Sequence, residues 1–144
     1  MFEKKVQKYF LYAEDDLDDA HIMLEFVQKI DANLEVVVRG NGSEIIEYLM
    51  NLESHQVLPC FILLDINLPQ MDGLTALEIL KSDDQFNTIC VIMYSTSNSV
   101  ADLEKAKSLG AAGFYTKPFS FDAVEKLVEE FVDLCHELPV ARKN

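Results

Sequence analysis

Apolar runs of strand length alternate along the chain with stretches whose apolar residues recur at helical spacing. The runs of strand length are YFLYA at 9–13, EVVV at 35–38, FILL at 61–64, VIMY at 91–94 and GFYT at 113–116. They are rich in Val, Ile, Phe and Tyr and are almost free of polar residues, which is typical of strands covered on both faces. The pattern therefore predicts five strands inside a layered fold.

Between these runs, apolar residues three and four positions apart indicate the buried faces of helices. The first of these stripes comprises Ala20, Met23, Leu24 and Val27, and the last runs from Val124 to Leu134 behind a predicted N-cap at Ser120. Strands that alternate with helices predict an α/β fold with a parallel sheet and helices on both faces. Five such units are too few for an eightfold barrel of ~250 residues, so we expect the open, doubly wound form.

The length and composition fit a single soluble domain over residues 1–144, with a core at about 9–135. Hydrophobic residues make up 49% of the 144 residues and charged residues 26%, as in an average globular protein. No apolar run approaches the ~18 residues that cross a bilayer, and the N-terminus has no secretory signal. We therefore expect a cytoplasmic protein. For the short tail at 136–144, a frayed end is favoured over a docking segment.

The formal net charge of −13 argues against nucleic acid or an anionic membrane as a partner, because both would repel the chain. The three cysteines, Cys60, Cys90 and Cys135, are widely spaced and form no CxxC motif. This usage predicts reduced thiols in a core, and neither a disulfide framework nor a zinc site.

Polar residues follow four of the predicted strands. In the order of the chain, they are Glu14-Asp15-Asp16, Asp65, Ser95-Thr96 and Lys117-Pro118. The carboxyl ends of parallel strands meet at one edge of a sheet, so these residues should lie together. Any one of the acids could be a helix N-cap, but together they indicate a site.

The chemistry of this set points to phosphoryl transfer onto a carboxylate. Clustered carboxylates need a cation, and a hydrated site with oxygen ligands suits Mg²⁺. Lys117 and Ser95 could hold the oxygens of a phosphoryl group that is bonded to Asp65, the nucleophile. The sequence contains neither GxxxxGK[ST] nor GxGxxG, so we expect the phosphate to come from a donor and not from bound ATP.

These residues resemble the receiver domains of two-component response regulators, which have the flavodoxin-like fold of the chemotaxis regulators. The resemblance covers about 9–135 and depends on four motifs in order. They are Glu14-Asp15 after strand 1, Asp65 in FILLDINLPQMDG, Ser95 at the end of VIMYS, and Lys117-Pro118 after GAAGFYT. It implies a five-stranded parallel sheet in the strand order 2-1-3-4-5.

The resemblance also implies a role for each residue of the site. Asp65 would be the phospho-acceptor, and Mg²⁺ (or Mn²⁺) would be bound by Asp15, Asp65 and the backbone carbonyl of Asn67. Glu14 would act on the metal through bound water. These assignments are expectations that follow from the family pattern.

Two further residues complete the implied phosphorylation site, and one forms a switch. Ser95 would hydrogen-bond the phosphoryl group and Lys117 would pair with it. Phe114 stands at the switch aromatic, which turns inward when Ser95 moves. The chain departs from the commonest pattern in its Glu-Asp pair, in Ser in place of Thr, and in Phe in place of Tyr. Its Glu-Asp start and long loops resemble the small receivers that partner phytochrome kinases.

The family also implies the partners. A stand-alone receiver would take phosphate from a sensor histidine kinase or a histidine phosphotransfer protein and would bind an unidentified downstream protein. Its docking face would be the fourth helix, fifth strand and fifth helix, roughly 98–135, and a homodimer through that face is left open. Beyond its own phosphorylation and slow autodephosphorylation, we expect no enzyme activity.

Three other functions compete with this interpretation. A phosphatase that forms an aspartyl phosphate would need a second acid two residues after the nucleophile, where this chain has Asn67. A receiver-like module that works without phosphate usually lacks an acid or the lysine, and both are present here. A flavin or nucleotide binder would need a phosphate-cradling loop.

Overall fold

A computed structural model describes residues 7–97 and 99–144; residues 1–6 and Asn98, the first position of the expected docking face, lie outside the described residues. The elements, in chain order, are β1 Tyr9–Ala13, α1 Leu17–Ile30, β2 Glu35–Arg39, α2 Gly42–Asn51, β3 Ile62–Leu64, α3 Gly73–Ser82, β4 Val91–Ser95, α4 Val100–Ser108, β5 Gly113–Thr116 and α5 Phe121–Glu137. In the described part of the chain, no helix is long and apolar enough to cross a membrane.

The strands form one parallel sheet in the order β2-β1-β3-β4-β5, which confirms the predicted fold class. Leu11 of β1 lies opposite Ile62 of β3, which in turn lies opposite Val91 of β4. The direction of winding reverses between β1 and β3. In open α/β sheets, functional sites lie outside the carboxyl ends of the strands at such a point.

The sheet separates two apolar clusters, one on each face. Along β3, Ile62 and Leu64 belong to the cluster that includes residues of α2, α3 and α4, while Leu63 belongs to the cluster with residues of α1 and α5. In the second cluster, the rings of Phe10 and Phe61 stack with their centroids 4.6 Å apart. Burial on both faces explains why the strands read as unbroken apolar runs.

A polar side chain caps each helix at its N-terminus. The caps of α1 to α5 are Asp16, Asn41, Asp72, Ser99 and Ser120. The structure thus confirms the cap predicted at Ser120. Because each cap accepts hydrogen bonds from free backbone N–H groups, it fixes where the helix begins after its strand.

The C-terminal tail, residues 138–144 after α5, is paired with the rest of the protein, and the prediction of a frayed end is wrong. The backbone N–H of Leu58 donates to the Ala141 carbonyl at 2.9 Å, and the Lys143 N–H donates to the Gln56 carbonyl at 2.9 Å. Lys143 Nζ also donates to the last carbonyls of α2, including that of Met50 at 2.9 Å. The nine residues of the predicted tail, 136–144, carry too little hydrophobic pattern to predict such pairing.

The prediction of three reduced thiols is also wrong, because Cys60 and Cys135 form a disulfide. Their Cα atoms are 5.4 Å apart, although 75 residues separate them in sequence. Cys60 directly precedes the β3 region, and Cys135 lies in the last turn of α5, which packs beside that end of the sheet. Only the packing of α5 on the sheet brings the two together, so cysteine spacing alone could not reveal the bond. Cys90 is a free thiol.

Candidate functional site

Four polar residues are buried together at the carboxyl ends of four strands, where the sequence predicted them. Glu14 follows β1, Asp65 follows β3, Ser95 ends β4 and Lys117 follows β5; their exposed fractions are 3%, 5%, 0% and 9%. Buried charged groups are rare unless they are paired. The four residues therefore form a buried polar cluster at the point where the direction of winding of the sheet reverses.

Asp65 is held by a donor on each side. Ser95 Oγ donates to Asp65 Oδ1 at 2.8 Å, and the backbone N–H of Asn67 donates to the same oxygen at 3.1 Å. Lys117 Nζ donates to Asp65 Oδ2 at 2.9 Å. These charge-assisted contacts fix the orientation of the carboxylate and place a hydroxyl and an ammonium group beside it.

Lys117 is the cation at the centre of the cluster. Its Nζ also donates to Glu14 Oε1, and to Asp19 Oδ2 at 3.0 Å. Burial lowers the pKa of Lys117, but the hydrogen bonds from its ammonium group to Glu14 and Asp65 outweigh this effect, so that its pKa is raised. The lysine therefore stays charged, and it sits over the ring of Tyr94, 5.7 Å from the ring centroid.

The burial of Glu14 disfavours its ionised form. Burial raises its pKa, while the hydrogen bonds donated by Lys117 and by the Tyr12 hydroxyl, the latter at 2.9 Å, lower it in part. The pKa of Glu14 is raised overall. Repulsion from Asp65 makes a smaller contribution than burial, so a carboxylate here is strained mainly by its loss of water.

Two predicted metal ligands lie at the exposed rim of the site. Asp15 follows Glu14, Asn67 follows the Asp65 strand end, and both residues are exposed. Asp16 is exposed as well and caps α1. The rim is therefore open to solvent, while the carboxylate of Asp65 lies beneath it.

Carboxylates, whose oxygens hard divalent cations prefer as ligands, outnumber ammonium groups among the contacts of this site. Three of them, those of Glu14, Asp19 and Asp65, share the ammonium group of Lys117, which gives these four groups a net charge of −2 when all are ionised. Within residues 7–97 and 99–144, no three acidic, His or Cys side chains are arranged to hold a metal ion. Since Lys117 draws the buried carboxylates toward itself, metal binding requires that they share their oxygens with the ion.

Asp19 and Tyr12 are site residues that the sequence analysis missed. Asp19 stands in the first turn of α1, three residues after the cap Asp16, and that helical phase points its carboxylate back toward the strand ends. The dense acidic run at 14–19 was visible, but the start of the helix decides which acid turns inward. In the sequence, Tyr12 is one of several strand aromatics. Its hydroxyl contact with Glu14 is visible only in the structure.

Phe114, the predicted switch residue, lies on β5 opposite Met93 of β4. It is half-buried and packs against the cluster on the α2–α3–α4 face. Ser95 lies on the same neighbouring strand, opposite Thr116. The two switch candidates are thus on adjacent strands, which is the placement that a mechanical link between them would need.

Gly73 packs against the backbone of Asp65. A Cβ at this position would overlap the backbone carbonyl oxygen of Asp65 and would lie 2.8 Å from its carbonyl carbon. The Gly73 N–H also donates to the Ile66 carbonyl at 3.0 Å. The start of α3 therefore packs directly on the chain that carries Asp65, and only glycine fits there.

Gly73→Ala should destabilise the protein and displace Asp65. We expect a loss of about 1–3 kcal/mol in the free energy of unfolding, because the clash is with backbone and cannot be relieved by a side-chain movement. The measurement is chemical denaturation. Gly40→Ala is the matched control, since a Cβ there meets only the flexible Glu44 carboxylate at 3.4 Å. Equal stability of the two variants would contradict this role of Gly73.

The comparisons with known proteins agree with this geometry. The family model for the response regulator receiver domain matches residues 10–129. Chemotaxis protein CheY of Listeria monocytogenes is 33% identical over 117 residues, 79% of this chain and 92% of that protein. The chain spans about a third of the length of two longer relatives, chemotaxis protein CheV2 of Helicobacter pylori and a protein-glutamate methylesterase of Methanosarcina mazei.

Two solved structures are similar over nearly their whole length. The phosphorylated cyanobacterial phytochrome response regulator RcpA matches with a TM-score of 0.83 at 27% identity, covering 93% of this chain and 99% of that one. The Mn²⁺-bound form of response regulator Rcp1 matches with a TM-score of 0.81 at 25% identity, covering 92% and 99%. The chain belongs to the response regulator receiver domains of two-component signalling.

Proposed function

We propose that Asp65 accepts a phosphoryl group from a phosphohistidine of a sensor histidine kinase or histidine phosphotransfer protein, and that the modification controls binding to a protein partner. The observation that carries this proposal is the contact of one buried carboxylate with both Lys117 and Ser95. Neither contact is needed for a helix cap, and both supply what a phosphoryl group on Asp65 would require.

The transfer is a displacement at phosphorus. A carboxylate oxygen of Asp65 attacks the phosphorus atom, the bond from the donor imidazole nitrogen to phosphorus breaks, and the imidazole leaves with the electron pair and takes up a proton. Lys117 already lies 2.9 Å from Asp65 Oδ2, so it can follow the negative charge onto the phosphoryl oxygens. Ser95 can donate its hydroxyl to one of them.

A divalent cation completes the proposed site. Asp15, Asp65 and the backbone carbonyl of Asn67 would hold Mg²⁺ or Mn²⁺, with Glu14 acting through water, and the ion would neutralise phosphoryl oxygens. The excess of carboxylates over ammonium groups supports this assignment. A structurally similar response regulator, Rcp1, was solved in a Mn²⁺-bound form.

The proposed output is a change on the docking face formed by α4, β5 and α5. Ser95 would move toward the phosphoryl group, and Phe114 would fill the space behind it. Three exposed apolar residues on this face, Val100, Leu103 and Tyr115, give a partner protein, or a second copy of this chain, something to bury. We propose no reaction on an external substrate. The residue two positions after Asp65 is Asn67, whose amide cannot serve as a general acid.

Incubation with acetyl phosphate and Mg²⁺ tests the proposal. We expect intact mass spectrometry to show the mass of one added phosphoryl group, and we expect none when EDTA removes the metal. Mg²⁺ should also stabilise the protein by about 1.4 kcal/mol at a tenfold excess over its Kd. The proposal fails if the protein stays unmodified with Mg²⁺, or if the same modification forms in EDTA.

A further inference from the structure

The disulfide lies at the amino-terminal edge of the sheet, opposite the site described above. Cys60 is half-buried just before β3, the strand that leads to Asp65, and Cys135 is fully buried in the last turn of α5. The bond therefore joins the acceptor strand to the longest helix of the docking face. Neither sulfur belongs to the phosphorylation site.

The chain around the bond is fastened by contacts of another kind. Lys8 Nζ donates to the carbonyls that end α5, at 3.2 Å to Cys135, 3.0 Å to His136 and 2.9 Å to Leu138. The C-terminal tail then crosses to residues 55–58, where it forms a backbone bridge between Val57 and Arg142. These contacts thus hold the last turn of α5 and the tail to the rest of the protein, and the disulfide lies where this segment begins.

The burial of the two sulfurs differs in a way that suits exchange with small thiols. Cys60 is half-buried and borders a small cavity with Pro139 and Val140, whereas Cys135 is fully buried in the cluster of α5. Cys60 is therefore the cysteine of the pair that an external thiol or disulfide reaches first. Access and a buried partner thiol together define a site for thiol–disulfide exchange.

The middle of α5 does not depend on the bond. Val128, Phe131 and Val132 are buried in the cluster that also contains Phe61, and these contacts hold the helix on the sheet by themselves. Opening the disulfide should therefore leave the fold in place. It should loosen the last turn of α5 and the tail, where many of the remaining contacts are hydrogen bonds, such as those of Lys8 Nζ to the His136 and Leu138 carbonyls.

We propose that Cys60 and Cys135 form a reversible, redox-controlled clamp that fixes the C-terminal end of α5 and the tail, with low-molecular-weight disulfides such as oxidised glutathione as the oxidant. An effect of this clamp on partner binding rests on the docking face of the proposed function. The formation and opening of the disulfide do not depend on that function.

The disulfide closes in two exchange steps, and each step balances in atoms and electrons. The Cys60 thiolate attacks one sulfur of the small disulfide, which gives a mixed disulfide on Cys60 and releases one small thiolate. The Cys135 thiolate then attacks the Cys60 sulfur, closes the protein disulfide and releases the second small thiolate. The two cysteines lose two protons and two electrons, and the small disulfide becomes two thiols. An excess of the small thiol reverses both steps.

The test compares protein treated with oxidised and with reduced glutathione. Alkylation and intact mass should count one reactive thiol after oxidation, from Cys90, and three after reduction. The oxidised protein should melt higher by roughly 5–15 °C, and its amides at 132–143 should exchange hydrogen more slowly. Cys60→Ala should abolish all three differences, while Cys90→Ala should abolish neither the melting nor the exchange difference.

Three outcomes would overturn the clamp. Three alkylated thiols after oxidation would mean that the bond does not form, and a link through Cys90 would mean that the pairing is wrong. A bond that forms without slowing exchange at 132–143 would mean that it holds nothing. None of these readouts depends on phosphorylation, so labelling of Asp65 can succeed or fail independently. Equal labelling of the two redox forms is expected, because the sulfurs lie at the opposite edge of the sheet.

Discussion

Asp65→Asn should abolish phosphorylation by acetyl phosphate and Mg²⁺, to the background of the assay. Asparagine keeps the shape of the side chain and can still contact Ser95 and the Asn67 N–H, but its amide is not a nucleophile toward phosphorus. The measurement is the phosphorylated fraction by intact mass. Asp84→Asn is the control, since Asp84 is exposed in the loop that leads into β4, at the opposite edge of the sheet from Asp65, and it should be labelled like the wild type.

Lys117→Met should destabilise the metal-free protein by roughly 3–5 kcal/mol at neutral pH. The change removes the ammonium group that contacts Glu14, Asp19 and Asp65, the only one to do so within residues 7–97 and 99–144, and two of these carboxylates are buried. Denaturation without metal measures the loss. Lys126→Met is the control, because Lys126 is exposed on α5, and it should change stability by no more than about 0.5 kcal/mol.

The destabilisation by Lys117→Met should grow as the pH rises. The pKa of Glu14 is already raised by burial, and loss of Lys117 removes the larger of the two contacts that oppose this rise, leaving only that of the Tyr12 hydroxyl. An acid with a higher pKa in the folded state binds more protons when folded, so stability falls as pH increases from its ordinary value of 4.5 through the raised one. Adding Glu14→Gln should flatten this pH dependence. A loss that is constant from pH 4 to 8 would contradict the electrostatic account.

The strands could be predicted because a sheet buried on both faces leaves an unbroken apolar signature, whereas their order followed from the resemblance to receiver domains. The four buried site residues could be predicted for a related reason. Each ends or follows a strand, and the carboxyl ends of parallel strands meet whatever the loops do. Glu14, Asp65, Ser95 and Lys117 were therefore located by topology, without knowledge of any side-chain contact.

The contacts that were missed depend on packing between distant segments. The carboxylate of Asp19 reaches Lys117 because the start of α1 turns that residue toward the strand ends. Cys60 contacts Cys135 only because α5 packs along the sheet. The detailed balance of charge could not be predicted either. The sequence placed Lys117 at the same edge of the sheet as the acids, but it did not show that one ammonium group contacts Glu14, Asp19 and Asp65, or that burial is the main cause of the raised pKa of Glu14.

The most direct test of the central claim is the position of the phosphoryl group. After labelling with acetyl phosphate and Mg²⁺, borohydride reduction converts an aspartyl phosphate to homoserine, which tandem mass spectrometry can locate in a proteolytic peptide. We predict homoserine at Asp65 and at no other aspartate. Homoserine at Asp15 or Asp19, with Asp65 unmodified, would contradict the assignment of Asp65 as the acceptor.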